Sequence, residues 1–504
     1  MNNFLNGLTN ATNFTYTENG AITHKSTGTA LLDMFALGGA YRKREVADVI
    51  LLFKNAYDEN PEYALKCLFY LRDVRGGQGE RRFFRICIQW LANYDKDAVK
   101  RNLDKIAEYG RYDDLYCLFS TDLREDTLAY IKEILALDVQ SNTPSLLAKW
   151  LPSENASSKV TNAQANIIRK YLGLSHKQYR KTLSILRGRI RVLEKLMSAN
   201  RWDEIEFDKI PSKAGIKYKN AFARRDFTKA RYEAFAKSTD TKVNAKTLYP
   251  YEVVAEALKL FRTGYYSSAK MPALDNVDRL MVNKYWENLA DYFNGSTLNA
   301  LAVVDTSGSM VSSEASAPIN VAISLGLYCA EKAKGPFAGH YVSFASRPQL
   351  IKTEGVDFAD KVYRIYKTNL VDNTNIEATF DLLLNTAIQN RCSQADLPEN
   401  IIIISDMEFD NAQHGWFYYR QRHCDNATLM ENIEKKWNFH GYKMPGLIYW
   451  NVQARQNNIP MTVKDGISFV SGMSPTIFKQ IMSGKTAYDL MFEVLNQERY
   501  SAIK

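Results

Sequence analysis

The sequence predicts a multi-domain chain with two fold classes in series. An all-α solenoid or ring occupies residues 28–296. An α/β domain with a mainly parallel sheet occupies 297–504, and residues 1–27 form an N-terminal arm. Three observations carry this expectation. Apolar residues recur at three- and four-residue spacing through the first part. Short β-rich apolar runs alternate with helical stretches in the second. The excess of positive charge lies in the first.

The helical elements come in order. "GTALLDMFALGG", "REVADVILLFKNAYDENPEYALKCLFYLRDVRGGQGERRFFRICIQWLANY", "KDAVKRNLDKIAEYGRYDDLYCLFS" and "REDTLAYIKEILALDVQS" each carry an apolar stripe, and breaks fall at Gly, Pro, Asn and Asp. Helices joined by short connections, with no strand signal between them, stack as pairs in an α-solenoid. No strict repeat period is present, so any repeats are degenerate.

From residue 297 the pattern changes. "LNALAVVD", "GHYVSFAS", "NIIIISD", "GLIYWNV" and "GISFVSG" read as buried strands, separated by helical segments such as "APINVAISLGLYCAEKAK" and "TNIEATFDLLLNTAIQN". Ligands of such sheets bind outside the carboxyl ends of the strands.

Composition bounds the function. The 504 residues are 46% hydrophobic and 24% charged, ordinary globular values. The six cysteines are scattered without a C-x-x-C pair, which suits a reducing compartment. The first twenty residues lack a basic and an apolar signal region, and no apolar run reaches the ~20 residues of a membrane helix. The expectation is a cytoplasmic protein with no membrane partner. Residues 1–300 hold 46 Lys and Arg against 35 Asp and Glu, and residues 301–504 hold 19 against 21. Within 159–231 there are 19 basic and 6 acidic residues.

Chemistry concentrates at two places. In "LAVVDTSGSM", Asp305, Ser307 and Ser309 form D-x-S-x-S where the first strand ends. Thr374 precedes a later helix, and Asp406 follows the "IIII" strand. An all-oxygen set of this kind suits a hard divalent ion, Mg²⁺ or Mn²⁺. With few carboxylates around it, the ion stays electrophilic and accepts an acidic group from a partner. The other reading is a polar loop capping a helix.

The second place is basic. In "SHKQYRKTLSILRGRIRVLEKLMS", Leu183, Leu186, Ile190, Leu193 and Met197 make a buried stripe if the segment is one helix. Lys177, Arg180, Lys181, Arg187, Arg191 and Lys195 then share an arc of roughly 120° beside it. The next segment interleaves Lys217, Lys219, Arg224 and Arg225 with Tyr218, Phe222, Phe227 and Tyr232. Such cations neutralise phosphate, and aromatic faces stack unpaired bases. The alternative is a solvated face over an aromatic core. "RGGQGERR" at 75–82 lacks the G-K-[ST] of a phosphate loop and follows a helix, so a glycine-rich turn is expected there.

Residues 297–504 resemble a von Willebrand factor A domain, a Rossmann-like fold, with its metal-ion-dependent adhesion site (MIDAS). The resemblance implies direct metal binding by Ser307 and Ser309. It implies direct or water-mediated binding by Thr374, Asp305 and Asp406. In the first part, "RDVRGGQGERRFF", "YRKTLSILRGRIRVLEKLMSANRWDEI", "KAGIKYKNAFARRD" and "LYPYEVVAEAL" resemble an uncharacterised family of phages, plants and fungi. That family is similar to the TROVE proteins, the Ro ribonucleoproteins, which join a ring of HEAT-like helical repeats to a von Willebrand A domain. The resemblance implies an RNA-binding ribonucleoprotein scaffold with an Mg²⁺ or Mn²⁺ site. Its RNA would be single-stranded, or structured with flexible ends.

The alternative is a metal-dependent protein-interaction module that captures a partner carboxylate without RNA. A hydrolase is not expected. Two-metal phosphoryl chemistry needs more carboxylates than Asp305 and Asp406, Glu408 has no evident role, and no nucleophile–base set is readable.

Overall fold

The computed structural model describes residues 12–504 apart from 191, 246–247, 262–269, 294–298, 313, 315, 345–346, 369–374, 412–426 and 482–485. Its strands are β1 (Phe14–Tyr16), β2 (Ile22–His24), β3 (Ala300–Asp305), β4 (His340–Phe344), β5 (Gln349–Lys352), β6 (Asn400–Ser405), β7 (Gly446–Asn451) and β8 (Ile467–Ser471). β1 and β2 form an antiparallel hairpin. The other six form one sheet in the order β5-β4-β3-β6-β7-β8. All its pairings are parallel except β4 with β5. Counting only its own members, the sheet runs 3-2-1-4-5-6, the order of a doubly wound fold. The predicted α/β class is therefore present.

The central strands are buried on both faces, which explains their unbroken apolar text: Ala300–Val304 and Ile401–Ile404 are all core. β5 was not among the expected strands. Only Ile351 of its four residues is buried, so the edge strand leaves no apolar run to read. The helix Pro318–Lys332 packs on β3 and is buried from Pro318 to Ala330. Gly326 permits that approach, since a Cβ there would lie 2.4 Å from Val304 Cγ2.

The chain divides into two compact units, one of residues 1–67 and 248–497 and one of 68–247 and 498–504. The predicted boundary at 296/297 lies outside the described residues, and the units break at 67/68, 247/248 and 497/498. The helices Ala30–Leu37, Val46–Glu59, Pro250–Phe261 and Val277–Glu287 therefore belong to the unit that holds the sheet.

The hairpin docks in that unit too. His24 and Ile459 exchange backbone hydrogen bonds of 3.0 Å, and Thr17 Oγ1 donates to the Phe409 carbonyl. His24 Nε2 lies 3.3 Å from Glu431 Oε1. Burial acts to raise the Glu431 carboxyl. The His24 ring and the N–H groups of Thr428 and Thr462 outweigh it and hold the group down to about 2.

The other unit is helical, running from Arg81–Tyr94 to Asp226–Lys237. Its buried charges are paired. Arg72 reaches Asp114 at 2.7 Å, and Asp73 accepts from Arg499 Nη2 at 2.7 Å and Tyr500 O–H at 3.1 Å. The turn at 75–80 behaves as a structural turn. Gln78, Gly79 and Glu80 donate their N–H groups to the carbonyls of Tyr70, Asp73 and Leu71, leaving no cradle for phosphate.

The segment 176–198 is not one helix. It forms His176–Arg189 and Leu193–Ser198, with Val192 extended between them. The Val192 N–H bonds back to the Arg187 carbonyl and closes the first helix. Leu183, Leu186 and Leu193 are buried, but Ile190 and Met197 are only half-buried, so the five-residue stripe does not exist as such.

Two outcomes follow. Gly326→Ala should destabilise the chain by about 1–3 kcal/mol through overpacking, read as a lowered urea midpoint; an unchanged midpoint would contradict the close packing. Glu431 is depressed in the fold, so its stabilisation is present above about pH 4.5 and is lost as pH falls toward 2. Glu431→Gln should flatten the acid limb of a stability–pH profile.

Candidate functional site

β3 and β6 lie side by side where the strand order reverses, and their carboxyl ends carry Asp305 and Ser405–Asp406. The register pairs Val304 with Ile404, so Asp305 falls opposite Ser405. Asp305 Oδ2 accepts from Ser405 Oγ at 2.5 Å, and Oδ1 accepts from the Ser307 N–H at 2.9 Å. The hydroxyls of Ser307 and Ser309 are 3.0 Å apart. Asp406 Oδ1 accepts from the Glu408 N–H at 3.2 Å. Its Oδ2 is buried without a hydrogen-bond partner, and Arg455 Nε stands 3.7 Å away.

Both carboxylates are almost fully buried, Asp305 at 0% and Asp406 at 1% exposure. Burial raises the Asp305 carboxyl first, and the charge of Asp406 raises it further. Burial raises Asp406 as well, against the Ser309 hydroxyl, the Glu408 N–H and the Arg455 charge. Met407 adopts φ 64°, a left-handed conformation that a side chain resists. Ser405 Oγ accepts the Met407 N–H and braces this turn.

Four of the five predicted metal residues, Asp305, Ser307, Ser309 and Asp406, thus meet at one edge. Thr374 lies outside the described residues. Sequence reasoning gave Glu408 no role and missed Ser405, Arg455 and Glu18. Ser405 could have been found from its register opposite Asp305, and Arg455 from its place just beyond β7. Glu18 had no signal, because it arrives on the N-terminal hairpin.

Glu408 Oε2 accepts the Glu18 N–H at 2.7 Å, and burial pushes its carboxyl up to about 7. Arg455 Nη1 reaches Glu18 Oε2 at 2.9 Å, while Nη2 donates to the Ser309 carbonyl.

The donor set fits a hard divalent ion. All its atoms are oxygen, and Asp406 Oδ2 is a buried carboxyl oxygen without a hydrogen-bond partner among the described residues. Among the described residues no group of three His, Cys, Asp or Glu side chains is placed to hold a metal. An ion here would rely on hydroxyls and water beside the two carboxylates.

The helical unit holds a cleft of about 900 Å³ whose described lining includes Lys149, Arg180, Arg187, Lys195 and Lys217, with Trp150 and Tyr179. The break after His176–Arg189 lets the short helix Leu193–Ser198 fold back. Lys195 Nζ then reaches Ser184 Oγ at 2.7 Å, and both line the cleft. The two acidic residues of the lining are engaged: Glu154 by Arg169 and His176, and Glu194 by the Tyr218 hydroxyl.

Arg187 is a strut. It donates to the carbonyls of Ala148 and Leu151 and to Ser153 Oγ, so it holds the wall together. Lys177, Lys181, Arg224 and Arg225 are exposed and Lys219 half-buried, and none is among the cleft's described lining. Arg225 stacks on Trp202 at 4.4 Å. Arg191 lies outside the described residues. Phe222 and Tyr232 are core, packed on Phe207, and cannot stack bases. Phe227 is exposed.

Known proteins were compared with this chain. A family described as a domain of unknown function, DUF7788, matches residues 299–501. Another so described, DUF2828, matches residues 17–111 and 136–296. Uncharacterized protein L728 of Acanthamoeba polyphaga mimivirus is 29% identical over 520 residues, covering 94% of this chain and 85% of that protein. The crystal structure of the Deinococcus radiodurans Ro (RSR) protein aligns at a TM-score of 0.34 and 11% identity, over 93% of this chain and 99% of that one. A TM-score of that size does not establish a shared fold. The DUF2828 match spans more than half of the sequence, and the chain belongs to the DUF2828 family.

Proposed function

We propose that this protein binds RNA, single-stranded or structured with flexible ends, through the cleft of its helical unit, as a scaffold without catalysis. One observation carries the reading. Arg180, Lys195 and Lys217, singled out from sequence, converge with Lys149 on a concave surface that also presents Trp150. Cations in a concavity release counterions from a phosphate backbone, and aromatic faces hold unpaired bases. The resemblance of the sequence to the TROVE proteins implies the same class of ligand. No described helix is long and apolar enough to cross a membrane.

Titration of a labelled single-stranded oligoribonucleotide by fluorescence anisotropy tests this. Affinity should fall steeply between about 50 and 200 mM salt and exceed that for a duplex of equal length. Arg180→Glu with Lys217→Glu should weaken binding by about tenfold or more. Failure of the unaltered protein to bind single strands at low salt would refute the reading.

A second reading rests on the buried Asp406 Oδ2. Asp305, Ser307, Ser309 and Asp406 would hold Mg²⁺ or Mn²⁺, a Lewis acid that takes up an acidic group, here from a partner protein. Buried carboxylates with raised pKa values must lose protons to bind an ion. In the metal-free chain, their deprotonation costs stability as pH rises from about 4 upward. Added Mn²⁺ should therefore raise the melting temperature more at pH 8 than at pH 6, and Asp305→Ala should abolish the effect. Equal shifts at both pH values, or none, would exclude the site.

A further inference from the structure

A second cleft in the helical unit, of about 340 Å³, is lined by residues that include Arg85, Asp113, Tyr116, Trp150, Thr161 and Gln164. Trp150 lines the large basic cleft as well, so one indole borders both. The volume lies near the lower end of small-molecule sites, room for one nucleotide and not for a helix.

Trp150 is held as a platform. The Arg111 guanidinium carbon stands 4.1 Å from the ring centre, and the Tyr116 hydroxyl donates to the Trp150 carbonyl at 2.9 Å. Arg111 is itself locked, binding Asp113 through Nε at 2.9 Å and Nη2 at 2.8 Å.

The described lining of this cleft holds one cation, Arg85, and one anion, Asp113. Arg72, Arg81, Arg85 and Arg111 surround Asp113 and Asp114. Arg85 donates Nε to Asp114 at 2.6 Å. Its buried Nη2 is ion-paired with Asp113 at 2.9 Å. Arg81 is half exposed and comes no nearer to Asp113 than 4.0 Å. Arg81 therefore retains donors for a phosphate. Gln164 and Thr161 offer amide and hydroxyl groups to a base edge.

Resting on the RNA-binding reading, we propose that Trp150 is a base-stacking platform where the strand leaves the large cleft. One unpaired nucleotide would enter the smaller cleft, its base on Trp150 and its phosphate at Arg81. Arg111 acts as a positioning residue that holds the indole.

The test uses the full chain and two strands of about twelve units, an oligouridylate and an abasic ribose-phosphate polymer. Trp150→Ala should weaken oligouridylate binding about tenfold and leave the abasic strand unaffected. Trp150→Phe should retain oligouridylate affinity within about threefold. Arg81→Ala should lower the log–log salt slope by about 0.7 on both strands.

Equal losses on both strands with Trp150→Ala would make the indole merely structural and overturn the proposal. No loss on either would also overturn it. If the unaltered protein binds oligouridylate, Lys217→Glu weakens it and Trp150→Ala does not, only this inference falls. If the unaltered protein binds neither strand, the RNA-binding reading falls with it.

Discussion

The parallel pairing of β3 with β6 is the constraint on which the α/β unit turns. It sets Asp305 and Ser405–Asp406 side by side at the one place where the connections leave in opposite directions. Two carboxylates brought together there and buried would repel each other. The structure answers with oriented dipoles: the Ser307 N–H and Ser405 hydroxyl on Asp305, and the Glu408 N–H on Asp406. Arg455 supplies the nearby positive charge, shared with Glu18. The strained backbone at Met407 belongs to the same arrangement, since it turns the chain immediately after Asp406 and is held by Ser405. Closing the site this way also draws the N-terminal hairpin onto the sheet through the Glu18 N–H and Glu408.

The helical unit shows the opposite electrostatics. Its excess positive charge is sorted by the end of the helix His176–Arg189. A continuous helix would have spread its cations along one convex flank, facing solvent in a row. Two helices meeting at an angle turn part of that row inward, so Arg180 and Lys195 line one concavity with Lys217 from a later helix. Concavity matters because low-dielectric walls focus the field of the cations on whatever enters.

Legibility followed the range of the interactions. The strands were readable because burial on both faces leaves continuous apolar text, as in Ile401–Ile404. The site was half readable. Asp305, Ser307, Ser309 and Asp406 sit within a few residues of strand ends, where the topology of the class predicts chemistry. Glu18 was not readable, because it reaches the site through tertiary docking. The break within 176–198 escaped for a related reason. Period alone rated Ile190 and Met197 as core, while the bond from Val192 to Arg187 ended the helix. The interleaved aromatics misled in the same way: alternation with Lys and Arg does not say whether Phe222 and Tyr232 face a ligand or Phe207.

Charge by itself therefore cannot separate a binding cation from an architectural one; saturation can. Arg187 has Ala148, Leu151 and Ser153 as acceptors. Arg189 caps the carbonyls of Val139 and Ser141, and Arg231 those of Asp203 and Ile205. A guanidinium that already answers two or three acceptors has few donors left for phosphate, and moving it would leave carbonyls unpaired. Arg180 and Lys217 have no such carbonyl duties among the described residues, and they face a cavity. On that criterion the basic segment 159–231 is two populations with one composition. One builds the wall and the other presents charge across it, and only the second should respond to salt.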